Sequence, residues 1–241
     1  MIKEFRKKQD GDFIQITTDD ERFYQDTKTG KFYPSCTWVL SYYPKGIQFY
    51  KWLAQTGWDE SRAIRDKRGK EGSSVHNAVE SLLHGAELMH DVYSVKEWKS
   101  ICSFVDYWDT TDFKPLLIEH TFIDKELGVA GTVDLVCANP KMPGVIWVID
   151  LKTSQSVWKE YEIQISVYGE MVRKLYPNHE IKLAILQLGY SKNRKGYKFT
   201  EYESKIHLFP SIYNLWEEEN GSAKPKQMNL PSKLSLNIIN Q

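Results

Sequence analysis

The 241-residue sequence is poor in cysteine: Cys36, Cys102 and Cys137 stand far apart, with no C-x-x-C pair among them. That argues against a zinc site, an iron–sulfur cluster or a disulfide framework, and it fits a reducing compartment. Long apolar runs are also missing, so no segment reaches membrane-spanning length. The amino-terminal MIKEFRKKQDGDF is charged and lacks the apolar centre of a secretory leader. The expectation is a cytoplasmic protein without a membrane partner. Neither sign of charge is in excess, with 32 Lys plus Arg against 32 Asp plus Glu. Net charge therefore advertises no nucleic-acid partner, and phosphate contacts would have to come from local patches. No phosphate-binding G-x-x-x-x-G-K-[S/T] loop and no internal repeat is present. With 41% hydrophobic and 27% charged residues, the chain suits one globular α/β domain with additions, or two small ones.

The stretch VIWVIDLKT, residues 145–153, reads as a strand. Alternate strand side chains share a face, so Asp150 and Lys152 point one way and Trp147, Ile149 and Leu151 the other. Ile146 and Val148 continue the charged face back into apolar surroundings, which places the acid and the amine where the strand leaves the core. Asp134 lies in the preceding β-like segment GTVDLV, residues 131–136, joined through the turn-rich segment 139–144. Antiparallel pairing would let Asp134 and Asp150 stand side by side, although the sequence leaves the register open. Two carboxylates so placed repel unless a proton or cation lies between them. Oxygen ligands of this kind suit Mg²⁺ or Mn²⁺. A lysine one strand step beyond a metal-bound carboxylate orients or deprotonates a water, or steadies charge on a phosphate. The alternative is a solvated Asp and Lys at a strand end, since D-x-K occurs by chance in most chains of this length.

Upstream, residues 12–34 pattern as a small β element with aromatics that either pack it onto the body or line a nucleic-acid path. Helices are expected over 45–53 and, N-capped by Asp59, over 59–67. Arg62, Arg65, Lys67, Arg68 and Lys70 form the densest basic cluster, either a solvated helix face or a phosphate-contacting patch. Gly72-Ser73-Ser74 should open a further helix, with Val75, Val79, Leu82 and Ala86 as its apolar stripe and His76 and Glu80 neighbours at the rim. A rim histidine is either a hydrogen-bonded structural residue or a neutral imidazole ligating a metal. The next helix, 95–108, would bury Trp98, Ile101, Val105 and Trp108. Strands are expected over 116–123, where Glu119 interrupts the apolar run, over 129–138 and over 146–152. Residues 158–175 give a helix with Tyr161, Ile165, Tyr168, Val172 and Leu175 in one stripe. Gln164 falls in the same arc and needs a partner, because a buried lone amide costs a few kcal/mol. A strand over 181–190 should run parallel to 146–152 through a right-handed crossover. Residues 197–202 would pair back onto it, with Lys192, Arg194 and Lys195 at the hairpin tip. A helix over 210–219 and a loosely structured tail complete the expectation.

The order helix, three antiparallel strands, helix, strand, with Asp134 on the second strand and Asp150-Leu151-Lys152 on the third, resembles the nuclease core of the PD-(D/E)xK superfamily. More narrowly the chain resembles RecB-like and Cas4-like exonucleases, including phage and mitochondrial members. The matching residues are Gly72 with His76, Gly131-Thr132-Val133-Asp134, Asp150-Leu151-Lys152-Thr153, and Gln164 with Tyr168; Tyr33-Pro34-Ser35-Cys36-Thr37 and a Trp52-containing helix resemble the phage members. The implied fold is α/β: a restriction-endonuclease-like core over 72–203, with a mixed sheet flanked by helices. Residues 1–71 would be a β-hairpin and helical extension, and 204–241 a carboxy-terminal helix and tail. The implied activity is Mg²⁺- or Mn²⁺-dependent hydrolysis of DNA, as an exonuclease on single-stranded or free-ended DNA in replication, recombination or repair. Asp134 and Asp150 would ligate the metal, with His76 third and the Leu151 carbonyl fourth. Lys152 would position or activate the attacking water, Glu119 would act through a metal-bound water, and Gln164 and Tyr168 would support the site or touch DNA. Arg62, Arg65, Arg68, Lys70, Lys192, Arg194 and Lys195 would contact nucleic acid. Cas4-type relatives carry four cysteines for an iron–sulfur cluster, which the three here do not supply. RecB is fused to a helicase, so a helicase or recombination partner would be a separate protein. The rival readings are a catalytically silent nucleic-acid-binding module of the same fold, and glycoside hydrolysis by paired carboxylates, which gives Lys152 no task.

Overall fold

The computed structural model describes residues 6–10, 12–18, 21–221 and 225. The remainder of the expected loose tail lies outside the described residues. The chain opens with an antiparallel four-stranded sheet, β1 (Arg6–Asp10), β2 (Phe13–Thr17), β3 (Arg22–Asp26) and β4 (Phe32–Pro34), in sequential order. Its aromatics are used for packing: Tyr24 and Tyr33 are buried against Ala130, and Phe23 meets Trp38 edge-on at 5.0 Å between ring centroids. The short helix α1 (Cys36–Leu40) follows, its first turn closed by the Ser35 side chain accepting from the Trp38 backbone N–H.

Two helices come next, α2 (Ile47–Thr56) and α3 (Trp58–Leu83). They differ from expectation in one respect that matters. The segments 59–67 and 72 onward are one continuous helix of 26 residues, so Gly72-Ser73-Ser74 opens nothing and the 71/72 division falls inside α3. The N-cap is Gly57 rather than Asp59, because at φ 83° glycine alone reverses the chain from α2 into α3 without a Cβ clash. Asp59 lies in the first turn, where its charge favours the helix N-terminus. Ala86 falls beyond the last turn and is exposed.

The helix α4 (Val95–Trp108) has a reciprocal Ser94–Glu97 capping box. Its buried side is Ile101, Phe104 and Tyr107 with Ser100 and Ser103, while Val105 is exposed. The apolar periodicity missed this phase because two buried positions are serines. They are small where Gly189 comes close, and Ser103 Oγ accepts the Gly189 N–H at 2.9 Å.

A five-stranded mixed sheet forms the centre: β5 (Lys114–Asp124), β6 (Val129–Ala138), β7 (Val145–Lys152), β8 (Glu180–Leu188) and β9 (Tyr197–Tyr202), in that order. Only β7 and β8 are parallel, joined through α5 (Lys159–Leu175). Helices cover both faces. Ile146 and Val148 pack with α1, α5 and α6 (Phe209–Asn220), while Trp147, Ile149 and Leu151 pack with α3 and α4. Being sandwiched, α5 is buried nearly all round from Glu162 to Gly169, whereas Leu175, expected in its stripe, is exposed. Among the described residues no helix is long and apolar enough to cross a membrane.

Candidate metal centre at the end of β7

Register builds the site. Ile118 and His120 of β5 stand opposite Leu135 and Val133 of β6, and Leu135 stands opposite Ile149 of β7. Glu119, Asp134 and Asp150 therefore form one row across three neighbouring strands. Glu119 is the one non-glycine residue with positive φ, +45°, among those described. Such a backbone costs on the order of 1–3 kcal/mol and is kept where something else holds it.

From the other side α3 delivers His76. Its Nε2 lies 3.1 Å from the Leu151 carbonyl oxygen, while Nδ1 lies 3.4 Å from both Glu119 Oε1 and Asp134 Oδ1. One ligand atom each from His76, Glu119 and Asp134 falls within 4.8 Å of the others. Asp134 is fixed further by accepting the Leu151 N–H on Oδ2 at 2.7 Å. Asp150 stands one strand over, buried, with Lys152 Nζ 2.6 Å from Oδ2 and no hydrogen bond of good geometry to either oxygen.

Charges follow from this packing. Burial pushes Asp150 up to about 6, against the pull of Lys152 and with the help of Asp134. Burial and the neighbouring Asp134 likewise raise Glu119, although His76 opposes them. For Asp134 burial is outweighed by His76 and Lys152, and its carboxyl is held below the usual range. Burial opposes a charged imidazole at His76, but the charge and hydrogen bonds of Asp134 and Glu119 raise it to about 10. Lys152 keeps its proton more firmly than usual despite burial, since Asp150 and Asp134 face it.

The donor set fits a divalent cation. If Nε2–H donates to the Leu151 carbonyl, the Nδ1 lone pair points at two carboxylates, an arrangement that needs a positive charge in its midst. A proton on Nδ1 meets the need, and so does a metal ion. The set of one imidazole and two carboxylates is suited to Mg²⁺ or, with its nitrogen ligand, Mn²⁺.

The surroundings hold these groups in place. Gly72 and Thr153 meet where α3 crosses the end of β7: a Cβ at Gly72 would stand 3.5 Å from Thr153 Oγ1. The Tyr161 ring lies 4.7 Å from Lys152 Nζ. Gln164 Nε2 donates to the Tyr168 hydroxyl at 3.1 Å, and both residues are buried. Tyr168 packs on Gly131, where a Cβ would stand 2.6 Å from its ring. Gln164 and Tyr168 thus brace β6 from behind. The basic residues lie further out: Arg62, Arg65, Arg68 and Lys70 are exposed on α3, and Lys192, Arg194 and Lys195 are exposed on the β8–β9 loop. That loop is tied to the segment after Lys152 through Gln155, which binds the Gly189 carbonyl and Ser191.

His76, Asp134, Asp150, Lys152 and Glu119 are neighbours in the structure, but the ligand atoms that converge are those of His76, Glu119 and Asp134, whereas the resemblance implies Asp150 and the Leu151 carbonyl as ligands, with Glu119 acting through a bound water. The Leu151 carbonyl faces His76 Nε2, and Asp150 pairs with Lys152 beside the three converging ligand atoms. Tyr161, expected from periodicity only in the helix stripe, also lies against the site. Its signal was the short connection from Lys152 to α5, which returns the first turn of that helix over the strand end. No protein-family model matches the chain, and no curated protein matches it.

Proposed function

We propose that the chain is a Mg²⁺- or Mn²⁺-dependent nuclease that hydrolyses DNA phosphodiester bonds, acting as an exonuclease on single strands or free ends. The observation that carries this is the convergence of His76, Glu119 and Asp134 on one point beside a buried Asp150–Lys152 pair. The mixed sheet, with its parallel β7–β8 connection through α5, is compatible with a restriction-endonuclease-like core, and the resemblance to RecB-like and Cas4-like exonucleases supports the same reading.

His76, Glu119 and Asp134 would hold the ion. Such an ion supplies charge that polarises a phosphoryl oxygen and acidifies water. The Leu151 carbonyl fixes the His76 tautomer, and the Leu151 N–H fixes Asp134. Asp150 holds the Lys152 ammonium at the strand end, with the Tyr161 ring on its other side. Lys152, whose proton Asp150 and Asp134 hold more firmly than usual in the ion-free chain, would position or activate the attacking water and steady phosphate charge. Unwinding of duplex, where needed, would fall to a separate helicase or recombination partner.

End-labelled oligonucleotides, single- and double-stranded, with and without Mg²⁺ or Mn²⁺, test the reading. Metal-dependent cleavage is expected in the wild type and should be abolished by Asp150→Asn and by Lys152→Ala in protein that remains folded. Undiminished cleavage in both variants would refute the assignment. Ion binding without any cleavage would make the chain a silent nucleic-acid-binding module.

A further inference from the structure

The continuity of α3 gives its surface a direction that a list of its cations does not. Trp58 and His76 are separated by 18 positions on one uninterrupted helix, about five full turns, so they lie on one line about 27 Å long. Arg62, Arg65, Gly69 and Gly72 fall within about 40° of that line. Reading inward, the line runs aromatic, two arginines, two glycines, metal-centre histidine. Trp58 is 62% exposed, although an indole that size is usually covered. Arg62 and Arg65 are exposed and have no ion-pair partner among the described residues. From Arg62 to Lys70 there are five cations against one carboxylate, Asp66, in a chain of zero net charge. Gly69 has nothing within 4 Å of a Cβ, so packing inside the protein does not explain a residue that weakens a helix interior. An external backbone passing close to the helix would account for it.

We infer that this line is the path by which a single nucleic-acid strand reaches the metal centre. Its phosphates would lie on Arg62 and Arg65, its backbone would pass over Gly69, and an unpaired base would stack on Trp58. The inference rests on the nuclease reading and adds strand preference and direction of approach to it. An exposed indole selects unpaired bases, because paired ones do not offer a face. At stacked spacing, 3.4 Å per nucleotide of one strand, the line holds about eight nucleotides.

Binding of a fluorescein-labelled 20-mer oligothymidylate and of a blunt duplex, measured by anisotropy in chelator, tests the path without cleavage. Trp58→Ala should weaken the single strand about tenfold and the duplex little. Arg62→Gln/Arg65→Gln should lower the slope of log K against log salt by about 1.4, at about 0.7 per lost phosphate contact. Gly69→Leu should weaken the single strand while the melting temperature is unchanged or raised. Lys67→Gln, on the opposite side of the helix at about 180°, should match the wild type. If Lys67→Gln costs as much as Arg65→Gln, if Trp58→Ala and Gly69→Leu leave single-strand affinity unchanged, or if the wild type binds no single strand, the path is wrong. Those outcomes are separable from failure of the nuclease reading, which shows as absence of metal-dependent cleavage in the wild type.

Discussion

Ion uptake at the His76 cluster should expel a proton, because the ring that closes the cluster holds one in the ion-free protein. With the imidazole raised to about 10, between Asp134 and Glu119, it is almost fully protonated at pH 7 to 8.5. A protonated Nδ1 cannot ligate, so binding releases close to one proton across that range. Each unit fall in pH should therefore weaken Mn²⁺ binding about tenfold, about 1.4 kcal/mol. Calorimetric titration of Mn²⁺ at pH 7, 7.75 and 8.5, in two buffers of different ionisation enthalpy, measures both the affinity slope and the protons released. His76→Gln should bind Mn²⁺ at least about tenfold more weakly and lose the slope, since the ligand and its proton go together. The same ionisation governs stability without metal. A histidine raised above its unfolded value near 6.5 contributes stability that is complete below that pH and is lost as pH climbs toward 10. Chemical unfolding in chelator should accordingly show stability falling from pH 6.5 upward, with Mn²⁺ restoring it. Affinity independent of pH, with no proton released, would refute Nδ1 as a ligand atom whatever the activity proves to be.

Removing one member of the buried pair should cost more than removing both. Lys152→Ala strands the Asp150 carboxylate and is expected to lower unfolding free energy in urea by about 3–5 kcal/mol, whereas Asp150→Asn with Lys152→Met should recover most of it. Additive losses across the cycle would mean the two side chains do not depend on each other. At the back of the site, Gly131→Ala should destabilise by about 1–3 kcal/mol through overpacking against Tyr168. The same substitution should cost clearly less in a Tyr168→Leu background, and an equal cost in both backgrounds would remove that contact as the reason for glycine.

Much of the central sheet was readable because its strands are apolar runs bounded by turn residues, and α4, β6 and β9 begin and end where the pattern placed them. Side-chain placement at the site was readable where period-two alternation fixed a face, as for Asp150 and Lys152. What stayed hidden depended on contacts between distant segments. The register that aligns Glu119 with Asp134 and Asp150 belongs to strand pairing, not to any one strand. The left-handed backbone of Glu119 leaves no mark in composition, since glutamate has no preference for it. The phase of α4 departs from its apolar periodicity because Ser100 and Ser103 are buried for their small size, a requirement set by Gly189, about ninety positions away and outside any local window.

The unbroken α3 departs furthest from what local propensity dictates. Two interior glycines cost a helix about 1 kcal/mol each relative to alanine, and Ser73 and Ser74 beside them favour a cap, so local propensity argues for a break at Gly72. Tertiary contacts overrule it. Val75, Ala78 and Val79 lock the carboxy-terminal half into the core, Glu71 pairs with Lys96 of α4, and His76 is held at the Leu151 carbonyl. A break would have left the basic cluster free to pivot about the site, making its cations a diffuse attraction. Continuity fixes every residue from Trp58 to His76 in one helical phase, so the cations facing the site are set apart from those facing away, and a rigid element carries charge toward the place where His76, Glu119 and Asp134 converge.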